Sequence, residues 1–281
     1  MKDIYVAKSA GFCWGVQRAF DKVLEVAANN GSSHKTFTYG PLIHNPQAVK
    51  MLEDKGVKLL KEIPEHISGV VAIRTHGLPP DERKKLLQAG AKLCDATCPD
   101  VGYIQGIVKR HVRQGYFVII IGSREHPEVE ALLGFGEGKS ACVLTKEDIL
   151  ALPEDFSKVC VVSQSTQQQS HFQELVSVIK ERYSNCKVYD TICRSTAQRQ
   201  QEVKEFAKKV DAIVVVGGRN SANTTRLAEI SRQMGASTWH VEGVSELRME
   251  DFKDAKTIGV TAGASTPRWV IEEVVERLKS F

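Results

Sequence analysis

Three cysteines recur at equivalent places in this 281-residue chain, and their spacing is its first hint of chemistry. Cys13, Cys98 and Cys193 each close a strand-like run, KDIYVAKSAGFC, AKLCDATC and CKVYDTIC, with Asp95 and Asp190 standing three residues before the last two. Cys13 and Cys98 are 85 residues apart, Cys98 and Cys193 are 95 apart, and 88 residues follow. Three thiolates at one repeated position can ligate three corners of a cubane iron–sulfur cluster, leaving a fourth iron open to a substrate oxygen, whereas an electron-transfer cluster calls for four cysteines. A Cys₃His zinc site is the rival, weakened by the lack of any closely spaced cysteine pair. Cys94, Cys142, Cys160 and Cys186 fall on strand or pre-strand positions with no repeat partner and read as packing residues.

The other loops after apolar runs carry a second set. His44 precedes Asn45-Pro46, His76 precedes Gly77-Leu78-Pro79 and His126 precedes Pro127, each at an expected helix start. Helix N-termini attract anions through unpaired N–H groups and the helix dipole, and imidazoles there suit a phosphate or diphosphate whose charge keeps them protonated. Ser221, Asn223 and Ser265 add neutral donors at the corresponding starts of the third repeat, and Ser165 and Thr166 supply hydroxyls in the second. Glu128 is the one carboxylate in such a loop beside a repeated histidine. In a first helical turn the dipole holds its pKa down, so general-acid work requires burial or a bound anion to raise it. His34, His66, His111, His171 and His240 lack this placement and read as capping, packing or surface residues.

The elements that must position these groups show in the apolar pattern. β-Branched runs of four to six residues alternate with helix-period segments, the signature of a parallel sheet with crossover helices. The pattern occurs three times. A helix is expected behind each cysteine: a face of Val16, Phe20, Val23 and Ala27 stopped by Asn29-Asn30-Gly31, a face of Val101, Ile104, Val108 and Val112 stopped by Gly115, and a face of Val203, Phe206, Ala207 and Val210. A strand, a polar loop and a short helix follow (FTYGPLIHNPQAVKML, FVIIIGSREHPEVEALL, IVVVGGRNSANTTRLAEI), closed by Gly56, Gly134 and Gly235. A third strand leads to a fourth with its own loop and helix: VVAIRTHGLPPDERKKLL, VCVVSQSTQQQSHFQELV and TIGVTAGASTPRWVIEEV. The last repeat lacks a first strand, which the N-terminal KDIYVA must supply. The expected fold is α/β, with three similar small parallel-sheet domains in pseudo-threefold arrangement around a central cluster site. They span 14–97, 98–192 and 193–281, the last completed by 1–13. Ligands bind at the carboxyl ends of parallel strands, where all these loops lie.

Composition narrows the function. With 38 basic and 34 acidic residues the net charge is +4, and no Lys/Arg block marks a nucleic-acid surface. A chain 42% hydrophobic and 26% charged is expected to be globular, and apolar stretches such as Phe117–Ile121 are far shorter than the roughly 20 residues of a membrane span. The start has no apolar signal core, so the expected location is cytoplasmic. Seven cysteines, an odd number, favour reduced thiols, catalysis or metal ligation over disulfide staples. Neither a P-loop nor a G-x-G-x-x-G fingerprint is present, so ATP and NAD have no visible cradle. Gly217-Gly218 reads as a tight turn.

Eight ordered strings, AGFCWGV, YGPLIHNPQ, RTHGLPP, DATCPDV, HPEVEALLG, DTICRSTAQRQ, GGRNSANTTRL and GVTAGASTP, resemble the 4-hydroxy-3-methylbut-2-enyl diphosphate reductase family across essentially the whole chain. The resemblance implies three α/β domains around one 4Fe–4S cluster per chain, held by Cys13, Cys98 and Cys193 with one open iron. It implies a diphosphate held by His44, His76 and His126 with Ser221, Asn223 and Ser265, and a proton relay from Glu128 through a threonine hydroxyl. It implies reductive dehydroxylation of the allylic diphosphate to isopentenyl and dimethylallyl diphosphate, with two electrons from a ferredoxin- or flavodoxin-type donor. Three positions depart from the usual pattern. The relay motif, commonly Q-T-T, is Gln164-Ser165-Thr166, which places the relay hydroxyl at Ser165 with Thr166 as the alternative. Ala222 stands where many relatives have a second serine, so that donor is a backbone N–H or is missing. Arg124 is a less usual neighbour of His126 that would add charge near the pocket. Two other classes compete: an iron–sulfur sensor or cluster carrier, which needs no anion cradle, and a zinc hydrolase of a phosphorylated substrate.

Overall fold

The computed structural model describes residues 2–30 and 35–281; Gly31 of the expected helix stop and His34 lie outside them. The chain runs through β1 (Asp3–Val6), α1 (Trp14–Asn30), β2 (Lys35–Tyr39), α2 (Pro46–Asp54), β3 (Val57–Leu60), β4 (Gly69–Ile73), α3 (Pro80–Gln88) and β5 (Lys92–Asp95). Next come α4 (Pro99–Arg113), β6 (Phe117–Ile121), α5 (Pro127–Phe135), β7 (Ser140–Val143), α6 (Lys146–Leu150), β8 (Val159–Ser163), α7 (Gln169–Arg182) and β9 (Cys186–Val188). The remainder is α8 (Arg194–Phe206), β10 (Ala212–Val216), α9 (Ala222–Gln233), β11 (Ser237–Val241), two 3-10 turns, β12 (Thr257–Ala262) and α10 (Arg268–Lys279).

Among the described residues the strands form three four-stranded sheets, β3-β2-β4-β5, β7-β6-β8-β9 and β11-β10-β12-β1, with every pairing parallel. The order is the same each time, and β1 lies beside β12 with Asp3 opposite Thr257 and Val6 opposite Val260. The fold is α/β, as the alternation of β-branched runs with helical segments requires.

By compactness the chain separates into two units. One comprises the segment up to Arg18, Ile43–Lys55 and Arg194–Phe281; the other comprises Ala19–Leu42 and Gly56–Cys193. In the first, Val214 and Val216 of β10 pack with Val270, Val274 and Leu278 of α10, while Ile213 and Val215 meet Val203 of α8 and Leu227 and Ala228 of α9. In the second, Val118 and Ile120 of β6 face α4 and α5, and Ile119 and Ile121 face α7. Central parallel strands are covered on both faces, which is why these runs are continuously apolar rather than alternating.

Two expectations need correction. Gly134 does not end α5: it lies inside the helix, and a Cβ there would stand 2.8 Å from Pro79 Cβ, so it is a close-packing glycine and the helix caps at Gly136. Gly56 and Gly235 do follow their helices with φ of 85° and 83°. The face behind Cys193 is also shorter than its period suggested, because α8 ends at Phe206. Ala207 and Val210 pack on the same cluster from the connection beyond it. Among the described residues no helix is long and apolar enough to cross a membrane.

Candidate active site

Each repeated cysteine stands immediately before a helix: Cys13 before α1, Cys98 as the N-cap of α4, Cys193 before α8. Each is pinned by the same main-chain bond, its N–H donating to a carbonyl two residues past the neighbouring strand. Cys98 bonds Thr75 after β4 at 2.9 Å, Cys193 bonds Ser165 after β8 at 2.9 Å, and Cys13 bonds Ala264 after β12 at 3.2 Å. The two aspartates explain the approach to the second and third. Asp95 Oδ1 accepts from Thr97 N–H at 3.0 Å and Asp190 Oδ1 from Ile192 N–H at 3.2 Å, side-chain-closed turns that deliver the next cysteine. Val16 N–H donates to Cys13 Sγ at 3.5 Å, and the Cys193 thiol donates to Asp100 Oδ2 at 3.0 Å. Asp100 was not singled out from the sequence; its signal is an acid in the first turn behind a repeated cysteine.

All seven cysteines are thiols outside disulfides, and Cys13, Cys98 and Cys193 are half-buried. Cys94, Cys142, Cys160 and Cys186 lie within β5, β7, β8 and β9. Burial pushes the Cys142 thiol up to about 11 and the Cys160 thiol to about 12, and raises Cys186, so these three hold their protons. Three half-buried thiols at helix N-termini, where negative charge is favoured, are a donor set that fits an anionic iron–sulfur group.

In the first unit, His44 immediately precedes Asn45, the N-cap of α2, whose Oδ1 accepts from Ala48 N–H at 2.8 Å. The Ser265 hydroxyl donates to the His44 carbonyl at 3.2 Å and lies 3.5 Å from the Ser221 hydroxyl. Ser221 caps α9, and its oxygen accepts from the Thr224 hydroxyl at 3.0 Å. Gly218 has a stricter role than a tight turn: a Cβ there would sit 2.7 Å from the His44 carbonyl oxygen. Ala222 opens α9 and offers no side-chain donor. Asn223 follows it, 5% exposed, with neither the oxygen nor the nitrogen of its buried amide hydrogen-bonded. Such an amide costs roughly 1–3 kcal/mol unless something polar completes it.

In the second unit, the rings of His76 and His126 meet edge to face with centroids 5.2 Å apart. His126 caps α5, its Nδ1 accepting from Glu128 N–H at 3.2 Å. Glu128 is 1% exposed. Its Oε1 accepts from Ser165 N–H at 2.6 Å and its Oε2 from the Ser165 hydroxyl at 2.7 Å. Burial pushes its pKa from 4.5 up to about 7, although both Ser165 bonds pull it down. Desolvation therefore outweighs the first-turn placement, and the carboxyl titrates where a general acid must. The Thr166 hydroxyl is instead engaged by Gln164, whose Nε2 donates to it at 2.8 Å. Arg124 is exposed, and its charge acts on the Cys142 thiol.

The four described histidines that were set aside differ in setting. His111 is buried between the Ile107 carbonyl at 2.9 Å and the Tyr189 hydroxyl at 3.2 Å. His171 and His240 meet the carbonyls of Leu144 and Gly217, and His66 is exposed.

A model of the LytB protein family matches residues 4–279. The 4-hydroxy-3-methylbut-2-enyl diphosphate reductase of Geobacter sulfurreducens is 43% identical over 282 residues, covering 99% of this chain and 98% of that one. The enzyme of the same name from Pelobacter propionicus is 42% identical over 275 residues, 98% and 97% of the two chains. A solved structure of (E)-4-hydroxy-3-methyl-but-2-enyl diphosphate reductase, the terminal enzyme of the non-mevalonate pathway, aligns with a TM-score of 0.73 at 40% identity, covering 100% of both chains. The E-1-hydroxy-2-methyl-but-2-enyl-4-diphosphate reductase of Plasmodium falciparum aligns at 0.91 with 25% identity, covering 99% of this chain and 88% of the other.

Proposed function

This chain belongs to the LytB family, and on that premise we propose that it reductively dehydroxylates (E)-4-hydroxy-3-methylbut-2-enyl diphosphate to isopentenyl and dimethylallyl diphosphate, consuming two electrons and two protons and releasing water. Its three sheets are read as three units, 14–97, 98–192 and 193–281 with 1–13. The observation that carries the reading is the buried Glu128 carboxyl, titrating at about 7 with its Oε2 on the Ser165 hydroxyl.

Cys13, Cys98 and Cys193 would hold a 4Fe–4S cluster, which when bound supplies single electrons and an open Lewis-acidic iron. The residues of the chain do the rest. His44, His76 and His126 with Ser221, Asn223 and Ser265 bind the diphosphate, and the unsatisfied Asn223 amide gains its missing partner there. At position 222 only the backbone N–H is on offer. When Glu128 is protonated its O–H donates to Ser165 Oγ, which frees the serine proton for the departing substrate oxygen; Thr166 is the alternative hydroxyl. Near neutral pH a large fraction of Glu128 carries that proton, so the relay is loaded without a cost in driving force. Electrons would come from a ferredoxin- or flavodoxin-type protein.

The test is anaerobic purification with iron, sulfide and zinc quantified, followed by dithionite-driven turnover of the allylic diphosphate. The expected result is about four irons per chain with dehydroxylation. Zinc in place of iron returns the chain to the hydrolase class, and iron without turnover returns it to the sensor or carrier class.

A further inference from the structure

The three cysteine loops are not built alike. Those before Cys98 and Cys193 close on their own aspartates, Asp95 and Asp190. The loop before Cys13 has Ala10 at the corresponding position, three residues ahead, and no side chain there can close the turn. It is held by α8, which lies about 190 residues further along the chain.

Two residues one helical turn apart do this. Glu202 accepts from the N–H groups of Lys8 at 2.6 Å and Ser9 at 3.0 Å, and also from the Ser9 hydroxyl. Arg199 is 4% exposed, and its Nη2 donates to the Gly11 carbonyl at 2.7 Å. Its Nη1 donates to the Ser195 carbonyl at 3.1 Å and bonds the Ser195 hydroxyl, which fixes the guanidinium against its own helix. The carboxylate thus grips the donors at the start of the loop and the guanidinium an acceptor near its end. The grip spans Gly11, whose φ of 109° presents its carbonyl in a conformation open to glycine. Charge-assisted bonds of this kind are about twice as strong as neutral ones.

We infer that Glu202 and Arg199 are the positioning residues for Cys13, doing from a distant helix what Asp95 and Asp190 do locally for Cys98 and Cys193. The inference rests on the reading of Cys13 as a cluster ligand. Its consequence is that one ligand loop depends on side chains of α8, the helix that begins directly after Cys193, whereas the other two each carry an aspartate that closes the turn locally.

The test is competitive alkylation of the iron-depleted full-length chain by iodoacetamide, with the labelling rate of each cysteine read by mass spectrometry. Glu202→Ala and Arg199→Met should raise the Cys13 rate about tenfold or more, the scale of one lost charge-assisted hydrogen bond, and leave Cys98 and Cys193 within about twofold. Glu202→Gln, which keeps one acceptor oxygen, should recover part of the effect, and Asp190→Ala should raise Cys193 alone. No change at Cys13, or an equal rise at all three cysteines, overturns the inference, the second result marking a merely destabilised fold. Iron content of the same variants after anaerobic purification separates the two readings. A wild-type chain without iron sinks the cluster assignment while leaving the alkylation result standing. A wild-type chain with iron and no Cys13-selective effect sinks the clamp alone.

Discussion

The Ser165 hydroxyl lies 2.7 Å from Oε2 of Glu128 and the Ser165 amide 2.6 Å from Oε1, so a single residue occupies both oxygens of a carboxyl that solvent does not reach. The carbonyl of the same serine accepts the Cys193 N–H at 2.9 Å. One residue therefore ties the candidate proton donor to the backbone of a candidate metal ligand.

Burial raises Glu128 from 4.5 to about 7 in the folded chain, so the folded state keeps a proton that the unfolded state gives up. Its favourable share of stability is present below about 4.5 and is lost as pH rises through about 7. The full loss is on the order of 3 kcal/mol. The melting temperature of Glu128→Gln relative to wild type should climb between pH 5 and pH 8, and a gap independent of pH would contradict it. The same variant should lose about 10²–10⁴-fold in turnover with its iron content unchanged, and wild-type turnover should fall as pH passes about 7.

The relay hydroxyl can be assigned by substitution. The Ser165 hydroxyl bond holds the Glu128 pKa down, so its loss in Ser165→Ala should shift the midpoint of the pH–rate profile upward and lower kcat by about 10²-fold, while the backbone N–H bond remains. Ser165→Thr should restore both. Thr166→Ala should leave the midpoint in place, because that hydroxyl bonds Gln164. A shifted midpoint in Thr166→Ala with none in Ser165→Ala would reverse the assignment.

Asn223 should show opposite effects on stability and binding. With both amide atoms buried and unbonded, Asn223→Ala should leave the ligand-free chain as stable as wild type or more so, by up to about 2 kcal/mol. It should also weaken inorganic pyrophosphate binding about tenfold or more, through the loss of a buried polar partner. Differential scanning calorimetry and titration calorimetry give the two numbers. A destabilised variant with unaltered pyrophosphate affinity would make Asn223 an ordinary structural residue.

Gly134→Ala tests the corrected role of that glycine. Its new methyl would stand 2.8 Å from Pro79 Cβ, between α5 and the start of α3. Overpacking of this kind costs about 1–3 kcal/mol, which urea unfolding would measure. A helix-terminating glycine replaced by alanine would instead show strain from positive φ, a conformation Gly134 does not adopt.

Much of the molecule was legible residue by residue. The apolar runs at Phe117–Ile121 and Ala212–Val216 became buried central strands because their length and β-branching suit only a sheet covered on both faces. His44, His126 and Ser221 could be matched as repeat equivalents because each lies five residues past the end of its strand, Tyr39, Ile121 and Val216. The pattern was less reliable for Gly134, Ala207 and Val210, where a local signal was overruled by what packs nearby.

What the sequence determined by itself was periodic or local: the strands and helices, the repeat order, the cysteines at helix starts, and the repeated placement of Asp95 and Asp190 three residues before two of them. What only the tertiary structure decided was set by groups far apart in the chain. Glu128 reads from its own helix as an acid with a depressed pKa and becomes one near neutrality, because desolvation depends on what surrounds it. Ser165 rather than Thr166 reaches Glu128, across 37 residues, because the loop after β8 turns one hydroxyl toward the carboxyl and the next toward Gln164. The loop leading to Cys13 is held by Glu202 and Arg199, with Ala10 standing where the other two loops have an aspartate. Side-chain period and capping are written in neighbouring residues, whereas burial and long-range hydrogen bonds exist only once the chain has brought distant segments together.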